Sequence, residues 1–124
     1  MKQLLIVGLG GFIGSAARYM VSKLNLYWHL LSIPMGTLTV NILGSFLIGL
    51  LVGISVKSDL LSPNLRLFLM VGFCGGFTTF SLFSNENMML MQNGQFPTVL
   101  IYTAFSILFG FTAVYLGYIT SNLL

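Results

Sequence analysis

The sequence predicts an all-α membrane protein: a single domain over residues 1–124 with four transmembrane helices, the third of them broken. Three observations carry this. Of the 124 residues, 56% are hydrophobic and 6% are charged, against about 25% charged in a soluble domain, so the chain cannot clothe itself for water. A hydrocarbon core about 30 Å thick takes about 20 apolar residues per helix, and the apolar stretches divide into spans at about 4–24, 34–56, 65–91 and 98–119. The third contains GFCGGFTTFSLFSNEN, residues 72–87, where Gly75-Gly76 loosens the backbone and the hydroxyls of Thr78, Thr79 and Ser81 compete for its polar groups. In hydrocarbon, irregular backbone persists only where protein buries it or where it lines a watery path. The stretch is therefore expected to hold an ion or a substrate.

Span one opens with GLGGFIGSAARY. Gly8, Gly11 and Gly14 follow a strand-like run, as in a dinucleotide-binding turn, but that fold needs an acidic residue about 20 positions later. The next one is Asp59, so no nucleotide is expected. Gly10 and Gly14 instead form a GxxxG pair that lets helix backbones touch in lipid. Two readings stand for Arg18: it snorkels to the interface, or it lines a vestibule and attracts anions. Tyr27 and Trp28 suit the headgroup layer, and the single His29 has no partner ligand nearby, so no metal is expected there.

Pro34 starts span two, where its missing N–H costs little. Thr37, Asn41, Ser45, Gly49 and Gly53 recur every four residues and share one slowly drifting face. The amide of Asn41 near the midplane either bonds a neighbouring helix or turns its NH₂ to a pore. Ser62-Pro63-Asn64 marks a turn and the start of span three. In span four, Tyr102, Ser106, Gly110, Ala113 and Gly117 fall along one stripe, with Tyr102 and Ser106 as a polar rail.

The basic residues divide ambiguously. With four spans, Lys2, Lys57 and Arg66 fall on one side, and Lys23 with Arg18 on the other. The Lys/Arg bias that orients a membrane protein is weak, so insertion in both directions, and hence an antiparallel homodimer, is permitted. Five scattered basic residues and a net charge of +3 make no patch for nucleic acid. Cys74 stands alone, which excludes a disulfide within the chain.

One His, one Cys and two acidic residues cannot assemble a nucleophile, base and orienter, so no enzyme is expected. What remains suits an anion. Asn41 offers amide protons, Thr79 and Ser81 offer hydroxyls, and Phe80 and Phe83, three residues apart on one helical side, can present the positive edges of their rings.

At these residues the chain resembles the Fluc (CrcB) family of small fluoride channels, through GTLTVNILGSFLIG around Asn41, GFCGGFTTFSLFSNE around Phe80, and Tyr102 with Ser106 in the last span. The resemblance covers essentially the whole chain. It implies an antiparallel, dual-topology homodimer in the cell (inner or plasma) membrane, with two pores that let fluoride out passively, each lined by both subunits. It implies that Asn41 donates to fluoride and that Phe80 and Phe83 turn ring edges to it. Tyr102 and Ser106 would form a hydroxyl track, and Glu86 a vestibule carboxylate. Span three would break near Gly75 to Thr78, where the carbonyls of Gly75 and Thr78 from both subunits hold a structural sodium ion that is not transported. Leu82 and Gly110 stand where relatives often carry hydroxyls, which shortens the track or routes it through water. Two other readings compete. A proton-coupled four-span multidrug exporter shares the size and layout, but its central acidic residue in span one is absent. A purely structural subunit would leave the Asn and aromatic constellation without a purpose.

Overall fold

The computed structural model describes residues 1–124, the side chain of His29 excepted, so the expectation about His29 as a ligand lies outside the described residues. Helix α1 (Lys2–Ser22) leads into the single turn α2 (Leu24–Tyr27). A two-residue antiparallel hairpin follows, β1 (His29–Leu30) on β2 (Ile33–Pro34), turned by Leu31 and Ser32 with φ of 56° and 66°. Apart from this hairpin, which the sequence reading did not anticipate, the ordered elements are helical. Helix α3 (Met35–Lys57) is followed by α4 (Pro63–Arg66), whose Ser62 hydroxyl accepts the N–H of Leu65 at 3.2 Å. A π-helical stretch (Leu67–Cys74), α5 (Gly75–Phe77) and α6 (Phe80–Gln92) continue it, and α7 (Phe96–Thr120) ends in a 3₁₀ turn.

Among the described residues, four helical segments are long and apolar enough to cross a membrane: Lys2–Tyr27, Met35–Lys57, Pro63–Gln92 and Phe96–Leu123. Together with the exposed apolar side chains of Phe12 and Leu108, this makes the chain a multi-pass membrane protein.

The bundle pairs α1 with the first half of the third segment and α3 with α7. Glycine makes both contacts possible, since in lipid helices associate through close backbone packing rather than exclusion of water. A Cβ placed on Gly10 or Gly14 would fall onto the carbonyls of Phe68 and Phe73, and one on Gly76 would lie 2.6 Å from the Gly11 carbonyl. On the other side Gly49 meets the carbonyl of Val114, and Gly117 meets that of Phe46. Gly117→Ala therefore has no room without separating two backbones, a misfit of about 1–3 kcal/mol. Gly8 has nothing within 4 Å of an added Cβ. Thermal unfolding in detergent is expected to show a clearly lowered midpoint for Gly117→Ala and none of that loss for Gly8→Ala.

The buried cluster is small, Ile33, Leu38, Leu90 and Tyr102, with Phe83 and Val99 packed against it. It lies where the hairpin, α3, α6 and α7 meet.

Candidate functional site

The third segment changes conformation at two residues. Thr78 has φ −86° and ψ 159° and Thr79 has φ −152° and ψ 118°; both are extended. The Gly75-Gly76 pair, expected to loosen the backbone, lies within α5, and Gly75 has φ −62° and ψ −37°. Gly76 serves close approach to α1 instead.

Asn41 of α3 holds the extended pair. Its Oδ1 accepts the N–H of Thr79 at 2.8 Å and its Nδ2 donates to the Thr79 carbonyl at 3.2 Å. A side-chain amide thus bonds both backbone polar groups of this residue, which is what irregular backbone in hydrocarbon requires. Both sequence readings of Asn41 keep a basis, on different atoms. The oxygen and one proton make the interhelical bond, and the second proton has no protein acceptor among the described residues.

Because the Thr79 N–H goes to Asn41, it does not return to the carbonyl of Gly75, four residues earlier. Likewise the Leu82 N–H goes to the Thr79 hydroxyl at 3.2 Å, not to the carbonyl of Thr78. Two carbonyls are thereby released from helical donors. The hydroxyl of Thr78 turns back to the Cys74 carbonyl at 2.9 Å, and its methyl meets Gly44.

A groove of about 570 Å³ runs past this point, lined by Asn41, Gly75, Thr78, Thr79, Phe80, Phe83 and Ser106 among others. Helix α6 begins at Phe80, so its positive end lies at the groove, where an anion is favoured. The Phe80 and Phe83 rings are tilted with centroids 5.9 Å apart. The Ser106 hydroxyl is buried with no partner. Gly110 also lines the groove, where a Cβ would lie 3.8 Å from the Ser45 hydroxyl.

Other predicted residues lie elsewhere. Tyr102 is fully buried and absent from the groove wall. Phe83 meets its ring edge to face at 5.0 Å, and its hydroxyl donates to Glu86 Oε1 at 2.9 Å. Its length carries it past the stripe it shares with Ser106 to the neighbouring helix. Glu86 lines a second cleft of about 300 Å³ with Ser32, Asn93 and Gln95, and its Oε2 accepts from the Thr37 hydroxyl at 2.7 Å. Arg18 lines neither cavity. It is half-buried, and its Nε donates to the Gly76 carbonyl at 2.9 Å, because the glycine contact between α1 and α5 brings that carbonyl within reach. Ser81 is exposed, 3.3 Å from the Thr79 hydroxyl.

Sequence reading missed two residues. Asn25 bonds Gly36, Thr37 and Glu86, and nothing periodic marks it. Asn87 is buried, donates to Thr103 at 3.4 Å and leaves its Oδ1 unpaired; its signal was an amide in an apolar helix.

Comparison with known proteins adds a lineage. The family described as "CrcB-like protein, Camphor Resistance (CrcB)" matches residues 5–118. The chain is 46% identical over 122 residues to a protein of Azobacteroides pseudotrichonymphae named "Fluoride-specific ion channel FluC", covering 98% of each. Proteins of the same name from Chlorobium chlorochromatii and Flavobacterium psychrophilum are 46% identical over 121 residues and 39% over 122. The first alignment covers 96% of this chain and 92% of its relative, and the second 98% of each.

Proposed function

The chain belongs to the CrcB family, and on that footing we propose that it is a passive, fluoride-selective channel working as an antiparallel homodimer in the cell membrane. The observation that carries this is the groove at Thr78–Thr79, which uncharged donors and the rings of Phe80 and Phe83 line beside the positive end of α6. Fluoride is small and strongly hydrated, so a selective path must replace much of its water with close donors. The free proton of Asn41, the hydroxyls of Thr79 and Ser106, and the edges of Phe80 and Phe83 are such donors, and the exposed Ser81 hydroxyl stands 3.3 Å from that of Thr79. None is a cation, so none traps the ion, and conduction needs sites weak enough to leave.

Gly75 and Phe80 are exposed on the groove side of the single chain. A second copy, inserted in the opposite sense, would cover that face and give two pores, each lined by both subunits. The third segment is then a broken span, with Gly75 to Thr78 at the dimer centre. Glu86 stands in a vestibule, its charge taken up by hydroxyl donors. Arg18, anchored on the Gly76 carbonyl at 2.9 Å, lies outside the Glu86 cleft and contributes positive charge beside the Gly75–Thr78 stretch. Fluoride that enters as neutral HF from acidic surroundings ionises inside and runs out down its gradient.

A sodium ion fits the same region. The carbonyls of Gly75 and Thr78 lack helical donors, and uncharged carbonyl oxygens are suitable ligands for a hard monovalent cation. Two from each subunit would hold it, and the ion would supply fixed positive charge that ties the copies together without being transported. Exchanging sodium for a bulky organic cation is expected to lower the unfolding midpoint of the dimer by several degrees, as loss of a ligand bound only to the folded state does. An unchanged midpoint would remove Gly75 and Thr78 as ligands.

A proton-coupled exporter is not favoured, since the first span carries Arg18 and no carboxylate. Fluoride release from vesicles holding the purified protein, read with a fluoride electrode, tests the channel reading. Release well above protein-free vesicles is expected; none from a folded dimer would overturn it.

A further inference from the structure

We propose that Asn25 is the positioning residue of the Glu86 carboxylate, and that it sets which way the Thr37 hydroxyl points. Asn25 sits in α2, outside the long helices. Its Oδ1 accepts the N–H of Gly36 at 2.6 Å and of Thr37 at 3.3 Å. These are first-turn donors of α3, whose own cap residue Pro34 offers no side-chain bond, and a helix start leaves such donors unpaired. That capping fixes the amide, because with the oxygen on two N–H groups the nitrogen must face the other way. There it donates to the Thr37 hydroxyl oxygen at 3.3 Å and to Glu86 Oε2 at 3.5 Å.

The consequence is a directed relay. A hydroxyl has one proton. When Asn25 donates to the Thr37 oxygen, that proton is left for Glu86 Oε2, at 2.7 Å. Tyr102 holds Oε1. The carboxylate is thus pinned toward the bundle by donors on three elements, at the cleft where α6 meets the hairpin. An anion passing this end meets a carboxylate whose charge is already engaged.

Asn25→Asp separates the two jobs of the residue. An aspartate oxygen still caps Gly36 and Thr37, but the other oxygen now faces Glu86 as an acceptor. It also draws the Thr37 proton to itself, so Glu86 Oε2 loses both its donors and gains a charged neighbour, while Tyr102 still holds Oε1. The flux expectation rests on the channel reading. Fluoride release should fall about tenfold, the factor set by one hydrogen bond to a charged group. The double variant Asn25→Asp/Glu86→Gln should release fluoride as Glu86→Gln alone does, because an amide at 86 can donate to the new carboxylate.

A second readout is independent of transport. The chain has two acidic side chains, so the infrared carboxylate band of Glu86 can be isolated by subtracting the matching Glu86→Gln spectrum. That band should shift in Asn25→Asp, and also in Asn25→Ala, which adds no charge and serves if the aspartate variant does not fold. An unmoved band overturns the proposal whatever the flux. Losses that multiply in the double variant, or wild-type flux in Asn25→Asp, overturn it as well. If the native chain itself releases no fluoride while the band shifts, the channel reading fails and the role of Asn25 stands.

Discussion

Asn41→Asp is expected to abolish fluoride release, by about 100-fold or more, while the protein still folds and elutes as the native assembly. The aspartate keeps an oxygen where Asn41 Oδ1 accepts the Thr79 N–H at 2.8 Å, so the extended backbone retains its anchor. It loses both amide protons, the one that holds the Thr79 carbonyl and the one free for the groove. Removal of one donor aimed at an anion costs about 10²–10³ in rate in sites built for charge, and a carboxylate in the groove adds repulsion. Asn41→Leu should do more. It strands the N–H and carbonyl of Thr79 away from water, at several kcal/mol, so both flux and the unfolding midpoint should drop. Electrode measurements on vesicles, with size-exclusion of the same preparations, separate the two variants. Native flux in Asn41→Asp would leave Asn41 a purely structural clamp.

Phe80→Ile is expected to slow fluoride passage about tenfold with the dimer intact. Phe80 is 73% exposed in the single chain, so its loss leaves no hole in the fold. Isoleucine keeps the apolar character and removes only the ring quadrupole, whose positive edge is what an anion would meet. With aromatic edge-to-face pairs, about 0.5–1.5 kcal/mol, as the scale for a ring edge on an anion, the upper end corresponds to about tenfold. Phe83 is a less clean test, because its ring also packs on Tyr102 at 5.0 Å and against the buried cluster. Unchanged flux in Phe80→Ile would take Phe80 out of the path.

Glycine spacing and apolar length were the legible parts of this fold. The GxxxG pair at Gly10 and Gly14 and the small residues at Gly49 and Gly117 act through backbone approach, which periodicity reports directly because no side chain intervenes. Long polar side chains were not legible in the same way. Tyr102 shares a stripe with Ser106, yet its hydroxyl ends on Glu86 of the adjacent helix. Arg18 ends on a carbonyl 58 positions away in sequence. A stripe locates the Cα atoms, and the reach of each side chain then decides its partner. The irregular backbone, expected near Gly75 to Thr78, falls at the last residue of that range and the one after it. Of the residues expected to disturb the helix, Gly75 and Gly76 stay helical, and Thr78 and Thr79 are the extended ones, where a side chain on another helix supplies the bonds. Asn25 carried no signal, since its bonds reach residues 11, 12 and 61 positions away.

The most direct test of passive, selective conduction is fluoride release from potassium-loaded vesicles, with and without a potassium ionophore, compared with chloride release from the same preparation. An uncoupled anion path moves charge, so release should be rapid when the ionophore lets potassium follow, negligible without it, indifferent to a proton gradient, and far slower for chloride. Release that needs no ionophore and follows the proton gradient, or equal release of the two anions, would contradict a passive fluoride-selective channel.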